Sequence, residues 1–307
     1  MNALPLKLLA ADEPAPVSVL NAGGKSAFLL VADHAGNLIP RALCRLSLAV
    51  ADCERHIAWD IGIAGLGRLL VDALDATFIQ QNYSRLVIDC NRPLDAPNSI
   101  PDISERTVIP GNTGLDKANK AGRAGETFRP YHDRIEAELD LRPKASLPAA
   151  LVALHSFTPV YEDVARPWHA AVLYNRDPRF AHRLMALLNA EKEFTIGDNA
   201  PYSVSDATDY TIPVHAERRG LHHVLIEIRQ DLIADENGQR AWAQRASAIA
   251  SLSIALGHYG LEFDPDGPLP DIPESNASKS GRERTIAPAK RDNLAVRELA
   301  QIPASSI

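Results

Sequence analysis

What most limits the fold of this chain is a set of short apolar runs, each closed by ionisable residues and separated by longer stretches of helical period. The runs are Ser26–Ala32 (SAFLLVA), Arg85–Asp89 (RLVID), Ala149–Leu154 (AALVAL) and His223–Ile228 (HVLIEI), with shorter strand signals at Thr77–Gln80 and Ala170–Leu173. An unbroken apolar run of this length reads as a strand buried on both faces. Helical spacing fills the intervals Leu48–Leu74, Asp116–Leu141, Phe180–Lys192 and Gln239–Tyr259. Strands alternating with helices predict an α/β architecture, its central sheet flanked by helices. Pro93–Gly114 is rich in Pro, Asn, Asp and Gly and reads as a long loop, of a length that is either functional or mobile.

Charge and composition narrow the function classes. A net charge of −7 argues against nucleic acid as the main partner, because phosphate binding calls for a basic surface. Cys44, Cys53 and Cys90 form no CxxC pair, and an odd, unframed set points to reduced thiols in the cytoplasm. No stretch reaches the ~18 apolar residues of a membrane span, and the N-terminal apolar patch is too short for a signal peptide. The sequence therefore predicts a single α/β domain over residues 1–267 and a polar tail over 268–307, where Pro, Ser, Asn and charge take over. Oligomeric state is not legible.

Ligands in open α/β sheets bind beyond the carboxyl ends of the strands. Here FLLVA ends in Asp33-His34, RLVI in Asp89-Cys90-Asn91-Arg92, LVAL in His155-Ser156 and HVLI in Glu227-Ile228-Arg229. His34 and His155 are candidate imidazole ligands to Zn²⁺, or else histidines satisfied at strand edges. Glu227 is a candidate general base, or else a partner for Arg229 on the same strand face. Arg85, Arg92 and Arg229 offer rigid forks of donors for a carboxylate or an oxyanion, with ion pairing as the competing role.

The ordered segments HAGNLIP, WDIG, YSRLVIDCNRP, PYH, LHSF, GDNAPYS and GLHHVLIEIRQDLI resemble the N-formylglutamate amidohydrolase family over roughly residues 20–260. That family is related to zinc carboxypeptidases and aspartoacylases. The resemblance implies a three-layer phosphorylase/hydrolase-like fold with a mixed, mostly parallel sheet. It also implies a zinc cofactor and a small N-acyl amino acid substrate, N-formyl-L-glutamate in the first instance. By the same resemblance His34 and His155 are metal ligands and Glu227 is the catalytic carboxylate. Asn91 and Arg92 then grip the substrate carboxylate, and Arg85 polarises the scissile carbonyl. One departure stands out: the carboxypeptidase pattern His-x-x-Glu has Asn37 in its last position here. The missing acid is assigned to Asp60, whose competing role is an N-cap to a helix beginning there; His56 is the alternative ligand.

Overall fold

The computed structural model describes residues 7–145 and 149–258. The strands of its central sheet are β1 (Val17–Leu20), β2 (Phe28–Ala32), β3 (Thr77–Gln81), β4 (Ala150–Phe157), β5 (Ala170–Leu173), β6 (Ile196–Asp198) and β7 (His222–Arg229). Their spatial order is β1-β3-β2-β4-β7-β5-β6. The four central strands β3, β2, β4 and β7 are mutually parallel. β1 runs antiparallel to β3, and the parallel pair β5-β6 runs antiparallel to β7. The covering helices are α1 (Ile63–Leu74), α2 (Lys117–Arg123), α3 (Arg129–Leu141), α4 (Arg179–Ala190) and α5 (Glu236–His258).

Strand β2 shows why its sequence is apolar throughout. Alternate side chains point to opposite faces, and both faces are covered. Phe28, Leu30 and Ala32 share a core with Leu66 and Leu70 of α1, Leu184 of α4 and Trp242 of α5. Leu29 and Val31 pack on the other side with Tyr131, Ile135 and Leu139 of α3. The result is the helix–sheet–helix sandwich expected from the sequence.

Two expectations fail locally. RLVID is not a strand: residues 85–87 form a turn, and Leu86, Val87 and Ile88 are buried without sheet pairing. The turn brings Arg85 onto Asp89, with Nη2 donating to Oδ2 at 2.7 Å; an extended strand would hold residues four apart at ~13 Å. The 48–74 stretch is also less helical than its spacing implies. A short helix at Val50–Cys53 gives way to turns, and α1 starts only at Ile63, after Gly62 in a left-handed conformation (φ 86°). Asp60 is thus no N-cap, and Gly62 provides no side chain for one. The Pro93–Gly114 loop holds a small hairpin pairing Ile103–Ser104 with Thr107–Val108. Among the described residues no helix is long and apolar enough to cross a membrane. The tail expected at 268–307 lies outside the described residues.

Candidate metal centre and cleft

The site grows from the carboxyl ends of β2, β4 and β7. Past β2, Asp33 and His34 enter a turn in which Gly36 presses on the main chain of Asn82, where a Cβ would meet the Asn82 carbonyl oxygen at 2.0 Å. Only glycine permits that approach. The turn is pinned further by Leu38 N–H donating to Asn82 O (3.2 Å) and Ser84 N–H to Leu38 O (2.7 Å). On β4, His155 shares the face of Leu151 and Ala153, and on β7 Glu227 shares that of Leu225, facing the same helix layer. Register pairs Glu227 directly with His155. Asp60 arrives from the loop before α1, its main-chain N–H donating to His34 O at 2.8 Å.

One ligand atom each from His34, Asp60 and His155 lie within 4.8 Å of one another, and all three residues are buried. Asp60 Oδ2 is 2.9 Å from His155 Nδ1 and 3.5 Å from His34 Nδ1. The opposite nitrogen of each ring is clamped by a second carboxylate. Asp89 Oδ1 accepts from His34 Nε2 at 2.7 Å, and Asp33 Oδ2 accepts from His155 Nε2 at 3.1 Å. Ionised carboxylates only accept, so each Nε2 carries its hydrogen and each Nδ1 turns inward. Asp33 is itself fixed by the Thr211 hydroxyl, which donates to Oδ1 at 2.5 Å.

Electrostatics favour a cation at the point these groups surround. Burial opposes charge on His155, but the carboxylates of Asp33 and Asp60 outweigh it and hold its pKa well above the ordinary value. His34 is raised too: burial and Arg85 work against its charged form, while Asp89 and Asp60 win. Asp60 moves the other way, its burial offset by the two histidines. His34 Nδ1 is buried with no hydrogen-bond partner. Two inward imidazole nitrogens, one of them unpaired, and a carboxylate form a three-donor set that fits Zn²⁺, and carboxylate–histidine–metal chains are the usual second layer of such sites.

The same cleft is lined by Arg85, Asn91, Arg92 and Glu227. Glu227 is buried, and its Oε2 has no hydrogen-bond partner. Burial, with Asp60 adding to it, pushes its pKa up to about 7. Arg85 is held by Asp89 and stands 3.7 Å from Asp60. Asn91 Oδ1 accepts from the N–H groups of Tyr210 and Thr211, and its Nδ2 donates to Asp209 Oδ1 at 3.0 Å. Arg92 Nη1 donates to Thr208 O, and its Nε is buried without a partner.

Arg229 is the predicted site residue that the fold does not bring in. Its guanidinium pairs with Asp231 (Nε to Oδ1, 2.8 Å), not with Glu227 and not at the cleft. Strand parity placed it correctly beside Glu227, but the strand ends there and the side chain turns outward to the following 3₁₀ turn. His56 also lies outside the triad, 3.5 Å from Glu105. His132, a possible pocket residue from its PYH context, instead joins His215 (Nδ1 to Nε2, 2.9 Å) and the Cys90 carbonyl (Nε2, 2.8 Å). Sequence reasoning left three groups without a role: the clamps Asp33 and Asp89, and Asp209, which lines the cleft. The clamps had a signal, since each is an acid at the end of an apolar run. Asp209 had none, because its place depends on a loop folding back over the sheet.

With this geometry in hand, similarity to known proteins is informative. A model of the N-formylglutamate amidohydrolase family matches residues 26–234, about two thirds of the chain. The chain belongs to the N-formylglutamate amidohydrolase family. A solved structure of the same fold, gene product Atu2144 from Agrobacterium tumefaciens, is 36% identical with a TM-score of 0.79, over 82% of this chain and 99% of that one. N-formylglutamate amidohydrolase from Ralstonia eutropha JMP134 is 16% identical with a TM-score of 0.60, over 81% of this chain and 100% of that one, a likeness of fold. A different, local match is to nitrilotriacetate monooxygenase component A of Aminobacter aminovorans, 52% identical over 52 residues. It takes in 16% of this chain and only 12% of that protein. The family match spans β2 to the turn after β7, so it includes every residue of the His34–Asp60–His155 cluster and Glu227.

Proposed function

We propose that the chain is a zinc-dependent amidohydrolase that hydrolyses the amide of an N-acyl amino acid in the cytoplasm, from a single domain over residues 1–267. N-formyl-L-glutamate, giving formate and L-glutamate, is the first substrate to test. The observation that carries this reading is the convergence of His34, Asp60 and His155 beside Glu227, a buried carboxyl with an unpartnered oxygen. Free Cys44, Cys53 and Cys90 agree with a reducing compartment.

His34 and His155, through Nδ1, and the Asp60 carboxylate would hold the ion. Bound zinc would acidify a water toward pKa ~7 and polarise a carbonyl oxygen. Glu227 takes the proton of the attacking water as the new C–O bond forms, then delivers it to the departing nitrogen as the C–N bond breaks. A carboxyl with a pKa of about 7 suits both halves of that transfer. Arg85 is oriented by Asp89 and offers its remaining donors to the oxygen on which charge develops. Arg92, with its spare Nε, and the second Nδ2 hydrogen of Asn91 bind the substrate carboxylate.

The primary test is formate release from N-formyl-L-glutamate by zinc-loaded protein. Absence of turnover with every N-acyl amino acid in a panel overturns the reading. Arg92→Leu is expected to raise KM about 10- to 100-fold, the worth of a charged hydrogen bond, whereas Arg229→Leu leaves KM near wild type. Equal effects of the two substitutions would remove Arg92 from the substrate site. Because Glu227 acts as its carboxylate, kcat/KM falls as pH drops through its pKa. The fall is expected near pH 7, the value to which burial pushes this carboxyl.

Asp33 carries a separate expectation. It fixes the ring of His155 without reaching the ion, so Asp33→Ala should weaken zinc binding ~10- to 100-fold. Competition against a chromogenic chelator reads this directly, and undiminished affinity in a folded variant would show that the clamp is dispensable.

A further inference from the structure

The cleft does not end at Arg85. Asp60, Arg85, Ser156 and Tyr202 also form one wall of a second lobe. Its other walls are His56, Ile57, Ser104, Phe157, Thr158 and Tyr161. Asn91 and Arg92 line only the first lobe, so the two cavities meet at the wall that Asp60, Arg85, Ser156 and Tyr202 share, and the second lobe lies beyond reach of the Asn91–Arg92 pair. We infer that the second lobe receives the acyl group of the substrate, and that this cleft is built for a short, uncharged acyl group larger than formyl. The inference rests on the reading that Arg92 holds the substrate carboxylate.

Geometry gives the direction. A substrate with its carboxylate at Arg92 and its scissile carbonyl at Arg85 has one way left to extend its acyl carbon, away from Arg92 and into the second lobe. A formyl group ends in hydrogen and leaves that space unused. Size gives the limit. The lobe has a cavity volume of about 30 Å³, and ~10–15 Å³ suffices for one water. That space takes a methyl or ethyl group.

Charge gives the class. Arg85 is committed to Asp89 at 2.7 Å and stands near Asp60. Glu105 lies 3.5 Å from Nε2 of His56, one of the lining residues, and pairs with Arg55 at 2.8 Å. An acyl group bearing its own carboxylate would meet the Asp60 carboxylate and, beyond His56, that of Glu105, while Arg85 is already shared between Asp89 and the developing oxyanion. The lobe is also preformed. The buried guanidinium of Arg166 lies 4.7 Å from the ring centroid of Tyr161, 4.9 Å from that of Tyr202 and 5.9 Å from that of Phe157, tying together the aromatic side chains of its wall.

The test is calorimetric binding of N-formyl-, N-acetyl-, N-propionyl- and N-succinyl-L-glutamate to zinc-loaded Glu227→Gln protein, which separates affinity from the differing reactivity of the amides. Affinity is expected to rise about threefold to fourfold per added carbon from formyl to propionyl and to fall for succinyl. Ser104→Leu, which fills the lobe, should lower the propionyl-to-formyl affinity ratio at least tenfold. Should that variant misfold, the calorimetric series on Glu227→Gln protein alone still decides the inference. Formyl binding as tightly as acetyl and propionyl, or succinyl binding tightest, overturns the inference and leaves the amidohydrolase reading standing. If none of the four binds and wild-type protein releases neither formate nor acetate, both fall together.

Discussion

Glu227→Gln is expected to cut kcat about 10²- to 10⁴-fold, the usual worth of a general base, with KM little changed. The same substitution should stabilise the metal-free protein. The carboxyl has a pKa of about 7 in the fold because burial disfavours its charge, against 4.5 for an ordinary Glu. A raised carboxyl contributes stability that is full below the unfolded pKa and is lost as pH rises through the folded one. At pH 8 wild type therefore carries a cost of roughly 3 kcal/mol that Gln does not. Metal-free Glu227→Gln should melt above wild type at pH 8, with the gap closing toward pH 5. A variant that loses turnover and melts lower at pH 8 would mean that the carboxylate is structural, held by contacts other than those that raise its pKa.

Removing the metal is the second large effect. Dialysis against a chelator should bring turnover to background, and zinc should restore it. At a free concentration ~1,000-fold above Kd the ion contributes about 4 kcal/mol to the folded state. In a domain of this size that corresponds to a rise of roughly 8–16 °C in melting temperature. The gain should weaken at low pH. Both ring nitrogens of His155 face carboxylates, and its proton must leave before Nδ1 can bind. A melting temperature indifferent to chelator and zinc, with turnover retained, would sink the metal mechanism.

The parts of the site that were legible in the sequence are those that strand periodicity fixes. FLLVA, LVAL and HVLI are all strands, and parity alone puts His155 and Glu227 on one face, with register making them neighbours. Asp60 needed family resemblance, because nothing local separates a ligand acid from a capping acid. Its carboxylate in fact accepts from His155 and Ser156 N–H, with the helix starting later. RLVID misled because β-branched and apolar residues are as content buried in a turn as in a strand, and periodicity over so short a run does not tell the two apart. Arg229 misled for the opposite reason: period two held to the last residue of β7, and the acid that captures its guanidinium lies beyond the strand. Long-range loop contacts, such as Asn91 with Asp209, leave no trace in local sequence at all.

The main-chain bond from Asp60 N–H to His34 O, together with the glycine seat at Gly36, bears on which ion the proposed ligand set would accept. Two of the three proposed ligands are locked to each other through backbone rather than through side-chain choice, and the third rides on a buried strand. A cage this stiff cannot spread its donors outward to suit a larger or more highly coordinated ion. Calcium, which prefers six to eight oxygens at longer range, and magnesium, which keeps most of its own water, would find too few partners set too close together. On the proposed ligand set, discrimination among cations would thus rest on the path of the main chain, ahead of any contribution from the ligand side chains themselves.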